Sequence, residues 1–206
     1  MGAEGVRIPR RHLSASGRLL AGSGPLLEGV RIGLALYGLP PDDLPREALQ
    51  GSAACELKPV LSLHARPIQV VELPAGSGVS YGPSFTTSRP SRIATLPIGY
   101  ADGWSRALSN RTEALVRGIH VPLVGTVAMD AVMADVTDVP GPAVTVDDEF
   151  VLIGDQAGER ISALDVARAC TTISWEVVST MGSPIAPGVP CRAGTAERAD
   201  AGGVEG

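Results

Sequence analysis

From residue 57 onward the sequence breaks into short apolar or alternating runs, each closed within a few positions by Gly, Pro or Asp. A chain written this way points to many short strands joined by tight turns. Residues 61–66 alternate apolar and polar side chains, and 68–70 resume the alternation after Pro67; together they read as one long strand, bent or edge-exposed at its prolines. Residues 79–87 and 92–98 read as two further strands. A hairpin is expected from 114–116 and 121–127 around Arg117-Gly118, with more strand at 131–136 and 150–153. The expected fold class is mainly β, an antiparallel barrel or sandwich over residues 57–186.

One helix interrupts the strands. Ser162 with Asp165 three residues later is a loose capping box, and Leu164 and Ala167 follow at helical spacing. Ahead of residue 57 the pattern differs. Residues 13–29 carry a weak helical pattern of Leu, Ala, Gly and Ser, and 32–36 form an apolar run of strand length closed by Tyr37-Gly38. The segment LPPDDLP at 39–45 cannot continue a helix or a central strand. These features divide the chain into a first unit at 1–42, a linker at 43–56, the β-domain at 57–186, and a Gly- and Ala-rich tail at 187–206 expected to be disordered.

At 206 residues and 44% hydrophobic content, the chain can bury a core. A net charge of −5 argues against nucleic acid as a partner. No apolar run reaches the roughly 18–20 residues of a membrane span, and no signal peptide opens the sequence, so a cytoplasmic protein is expected. The three cysteines have no CxxC spacing, which supports neither a disulfide framework nor a metal site. Lysine occurs once, as Lys58, among 17 basic residues.

Several segments, in order, carry a family resemblance: VRIGLALYGLPP at 30–41, LKPVLSLHARPIQVVELPAGSGVSYG at 57–82, RIATLPIGYADGW at 92–104, RALSN at 106–110, GTVAMD at 125–130 and TISWE at 172–176. Together they resemble alanine racemase. The resemblance implies a barrel of the TIM type that binds pyridoxal 5′-phosphate, followed by a C-terminal β-domain that faces the partner subunit's barrel in a homodimer. Residues 1–42 resemble the last part of that barrel, and 57–186 the β-domain. The implied activity is the interconversion of L- and D-alanine, which supplies D-alanine for peptidoglycan.

Racemisation at a Cα needs an electron sink and two acid/base groups on opposite faces. In the family one base is the lysine that holds the cofactor, and the other is a tyrosine matched here by Tyr81 in GVSYG. A phenol is a weak base at neutral pH unless its surroundings lower its pKa. Arg31 matches the arginine facing the pyridine nitrogen. Ser16 and the backbone N–H groups of Gly33 and Leu34 match cofactor-phosphate contacts; a serine opening a small-residue helix is the alternative for Ser16. Tyr100, Met129 and Asp130 match the substrate entrance and carboxylate pocket, with the Met129 N–H meeting the carboxylate. A tight turn at GYADG and a core Met129 are the structural alternatives.

Two departures stand out. Trp175 replaces a tyrosine whose hydroxyl contacts the phosphate, and an indole has only one N–H donor in a different place. The family's arginine-containing ending becomes SPIAPG at 183–188. Lys58 aligns with a position at the start of the first long β-domain strand, remote from the cofactor, so this stretch alone is expected not to racemise. It would then act as part of a split racemase, associating with a barrel-containing chain, or as a non-catalytic dimerising or binding remnant. An unrelated binding use of the β-barrel is the third reading.

Overall fold

The computed structural model describes residues 10–22, 24, 27–45 and 57–181. An eight-stranded sheet dominates. Its strands are β3 (Leu63–Ala65), β4 (Gln69–Leu73), β7 (Ser91–Leu96), β8 (Glu113–Val116), β9 (Ile119–Val124), β10 (Val132–Asp135), β11 (Phe150–Gln156) and β12 (Glu159–Ile161), where β5 (Gly78–Val79) and β6 (Phe85–Thr86) form a separate hairpin. The sheet runs β12-β11-β8-β9-β10-β7-β4, with β3 also on β11. All its pairs are antiparallel. This is the expected mainly β fold.

The expected long strand over 61–70 is two strands in one bent run. Around buried Pro67, which has no N–H to donate, β3 leaves β11 and β4 takes up β7. The run thereby brings the β4 end of the sheet back to β11, next to the other end, and curls the sheet toward a barrel. The Arg117-Gly118 turn forms as expected: both residues have positive φ (54° and 75°), the twist that matches a two-residue hairpin. Strand β12 was not anticipated; Ala157-Gly158 makes the same kind of turn ahead of it.

Alternation along the central strands gives the sheet two apolar faces. Ala94, Leu96, Leu123, Val132 and Ala134 point into the main core with Trp104, Leu115, Phe150 and Leu152. Ile93 and Val124, with partly buried Met133, form a smaller cluster on the other side, roofed by Val79 and Phe85 of the β5–β6 hairpin. The expected single strand over 79–87 is therefore a hairpin. Ser80 takes φ +65° and Gly82 +55°, which reverses the chain.

Helix α2 (Ala163–Cys170) opens with the expected box: Ser162 Oγ accepts from the Asp165 N–H at 3.2 Å, and Asp165 Oδ2 accepts from the Ser162 N–H at 2.9 Å. A second helix, α3 (Ser174–Thr180), follows where none was expected. At the other end of the chain, β1 (His12–Ala15) and β2 (Gly29–Arg31) pair in parallel, with α1 (Ser16–Leu20) between them. The strand expected at 32–36 is absent. The chain leaves β2 at Arg31 and turns through a 3₁₀ segment, Leu34–Tyr37, because Leu34 and Leu39 drop into the main core. Gly38 closes that turn at φ +70°, and a Cβ there would lie 1.7 Å from the Lys58 carbonyl oxygen. The tail at 187–206 and most of the linker lie outside the described residues.

Candidate active site

Tyr81 stands at the tip of the β5–β6 hairpin and is 80% exposed. The turn beneath it is fastened by side chains. Ser80 Oγ donates to the Thr126 carbonyl at 2.6 Å, and Ser84 Oγ lies 3.1 Å from Thr126 Oγ1. Asn110 Nδ2 donates to Ser84 Oγ at 2.9 Å, while Asn110 Oδ1 accepts from the Gly125 N–H at 2.6 Å. Gly125 has φ +82°, and a Cβ there would sit 2.8 Å from the Val79 carbonyl oxygen, so hairpin and loop are in backbone contact. A non-glycine residue at positive φ costs of order 1–3 kcal/mol, and the Ser80–Thr126 bond holds Ser80 there.

The same loop continues into the second group. Ser109 Oγ accepts from the Val127 N–H at 3.0 Å. The Ala128 carbonyl then accepts from the Tyr100 N–H at 3.0 Å, and the Met129 carbonyl from the Ala101 N–H at 2.9 Å. Gly99 permits this approach, since its Cβ would lie 2.4 Å from the Ala128 carbonyl oxygen. GYADG is the expected tight turn, with Asp102 Oδ2 accepting from the Gly99 N–H at 2.8 Å. Met129 is 59% exposed rather than core, and Tyr100 and Asp130 are exposed with it. The Met129 N–H has no hydrogen-bond partner among the described residues. Tyr81, Tyr100, Met129 and Asp130 are thus borne on three loops bonded through one segment, 125–129.

A separate group comes from the N-terminal pair. Ser16 opens α1, and its Oγ accepts from the Gly33 N–H at 3.1 Å. The space where a Gly33 Cβ would stand is empty. Arg31 is exposed at the end of β2, whereas the Leu34 side chain is buried. No hydrogen bond joins this group to the Tyr81 loops among the described residues.

Residues 60–187 match the family model described as alanine racemase, C-terminal domain. Over 173 residues the chain is 44% identical to the alanine racemase of Halothermothrix orenii, covering 84% of this chain and 44% of that protein. The chain belongs to the alanine racemase family. A second relative, alanine racemase 2 of Caldanaerobacter subterraneus, is also 44% identical, with 42% of its length covered. The structure superposes on the Bacillus anthracis alanine racemase with bound L-Ala-P at TM-score 0.77, 38% identity, over 86% of this chain and 44% of that one. The Bartonella henselae alanine racemase, with covalently bound pyridoxal phosphate, gives 0.72 at 33% identity, over 86% and 46%. The chain spans less than half the length of these relatives.

Against that racemase pattern, Trp175 lies on α3, half-buried, packed against the main core. The altered ending at 183–188 lies outside the described residues. Lys58 is exposed, with its backbone against Gly38. Residues with no assigned role in the sequence reading turn out to build the site: Ser80, Thr126, Ser109 and Asn110 hold its loops. Their signal was present in part, because RALSN and GTVAMD were segments of the resemblance. Asp42, which accepts from the Ser174 N–H at 2.6 Å, had no local signal at all.

Proposed function

We propose that this chain is the substrate-facing β-domain of an alanine racemase, with residues 1–42 contributing the last part of its cofactor-binding barrel. The observation that carries this reading is the single loop cluster. It exposes a phenol, a second tyrosine and a backbone N–H unpaired among the described residues together, on a face that a second surface can cover. Tyr81 is then the acid/base group for one face of the alanine Cα, Met129 N–H the donor to the alanine carboxylate, and Tyr100 and Asp130 the walls of the entrance. Homodimer association, through which each β-domain meets the partner's barrel, is part of the proposal.

Pyridoxal 5′-phosphate, when bound, supplies the electron sink for the Cα carbanion. The residues present fit its phosphate end. The Gly33 N–H, expected to meet the phosphate, instead donates to Ser16 Oγ, which leaves the Ser16 hydroxyl proton and the Leu34 N–H to donate, with room where a Gly33 Cβ would stand. Arg31, always charged, would face the pyridine nitrogen and keep it unprotonated. Lys58, exposed and with its backbone against Gly38, aligns away from the family's cofactor lysine. In this reading that lysine, which is also the second acid/base group, is supplied by another barrel segment, and the described residues on their own do not complete the reaction.

A non-catalytic role is the second reading, favoured by Trp175. Its ring packs on the core and lacks the hydroxyl that the phosphate would meet. Adding pyridoxal phosphate separates the two. An absorbance band of lysine-bound cofactor, seen only when a barrel-half protein is mixed in, with D-alanine formation lost in Tyr81→Phe, supports the racemase. No band in either sample leaves the non-catalytic domain. A band with this chain alone, lost in Lys58→Ala, contradicts the assignment of the lysine to another segment.

A further inference from the structure

Helix α3 has no cap of its own. The residue before it is Ile173, which has no side-chain acceptor for the first N–H groups. Asp42, 132 positions earlier, supplies one: its Oδ2 accepts from the Ser174 N–H at 2.6 Å and its Oδ1 from Ser174 Oγ at 2.7 Å. Ser174 is 1% exposed, so water does not replace this pairing.

The contacts extend from both ends of the helix. On the Asp42 side, a Cβ on Gly17 would touch Pro41 at 3.4 Å and Leu44 at 3.9 Å, so the strap around Asp42 lies against α1 next to Ser16. On the far side, a Cβ on Gly103 would sit 2.4 Å from the Thr180 carbonyl oxygen. Gly103 directly follows the Tyr100–Asp102 turn, which is bonded to Ala128 and Met129. Between the ends, Val177 and Val178 lock the helix into the core.

We infer that α3 is a strut that sets the GYADG loop relative to the Ser16–Gly33 group, with Asp42 as its positioning residue. A displacement at either group has a continuous packed route to the other: α1, the Asp42 strap, α3, Gly103, Tyr100, Met129. In the racemase reading the strut ties a cofactor-side contact to the substrate entrance. That weight rests on the proposed function, whereas the mechanical link does not.

Amide hydrogen exchange on the full chain tests it. In Asp42→Ala, exchange rises about fivefold to tenfold at residues 174–177, the scale of losing one helix cap, and rises in parallel at 100–102. The β8–β9 amides keep their protection. Asp42→Asn, which retains a capping acceptor, restores both segments. Faster exchange at 174–177 with 100–102 unchanged overturns the strut, as does an Asn variant no better than Ala. Should Asp42→Ala also expose β8–β9, Ser174→Ala removes only the Oγ bond and is read the same way. The racemase reading fails separately, in the cofactor-band experiment.

Discussion

The hairpin that carries Tyr81 and the parallel pair that carries Arg31 are both small two-stranded pieces, yet they stand on different footings. The hairpin roofs one face of an eight-stranded sheet through Val79 and Phe85, and three side-chain bonds at Ser80 and Ser84 pin its turn, with Asn110 bonded in addition to Gly125. The parallel pair leaves Leu13, Val30, Ile32 and Leu36 exposed, and a two-stranded ribbon alone is marginal in water. It is held where Leu34, Leu39 and Asp42 reach the β-domain. A hairpin seated on the sheet and a ribbon leaning on the β-domain have different sensitivities.

The largest expected effect is at Gly38, where the N-terminal segment packs on the start of the β-domain. Gly38→Ala places a Cβ on the Lys58 carbonyl oxygen at positive φ and costs about 3 kcal/mol or more. Limited proteolysis of this variant should remove the N-terminal segment and leave the β-domain whole; simultaneous cleavage of both would erase the distinction. Next, Leu34→Ala, a deletion at a core position, costs about 2–4 kcal/mol in denaturant unfolding. A cost under about 0.5 kcal/mol would mean that the N-terminal segment does not unfold with the sheet.

A smaller effect probes the hairpin. Ser80→Ala loses the Thr126 bond yet keeps the strained φ, and should cost about 1–2 kcal/mol. Ser80→Gly relieves the strain and should fall below Ala in cost. Equal costs would show that backbone strain is not held there.

The smallest is pH-dependent and belongs to the sheet. The Arg117 hydrogen bonds, aided by those of Thr145, hold the Asp148 carboxyl below its ordinary range. Because the folded value is lowered, the stabilisation is full above the unfolded carboxylate value of about 4 and disappears as pH falls through the folded value. Asp148→Asn should therefore be less stable at neutral pH, by under about 1 kcal/mol, and match the parent in strong acid. A difference that persists unchanged in acid would contradict it.

Local chemistry explains which elements were legible in the sequence. Arg117-Gly118 and the Ser162–Asp165 box encode their turn and cap within four residues. The strand read across 79–87 failed because its alternation continues through Ser80, whose positive φ depends on Thr126, 46 positions away. The strand read at 32–36 failed because an apolar run of five does not say whether it pairs or packs; Leu34 packs. Helix α3 was missed because its cap comes from Asp42. The candidate site residues rest on the family segments rather than on periodicity, and exposed Tyr81 has no burial pattern to announce it.

In the proposed function, Tyr81 serves one face of the alanine Cα while a lysine from another segment serves the other. The most direct measurement is solvent deuterium incorporation at Cα, taken separately for L- and D-alanine, in the chain reconstituted with a barrel half and pyridoxal phosphate. In Tyr81→Phe, exchange should be lost for one enantiomer and persist for the other. Persistence for both, or equal partial loss for both with cofactor still bound, would exclude Tyr81 as the acid/base group of one face.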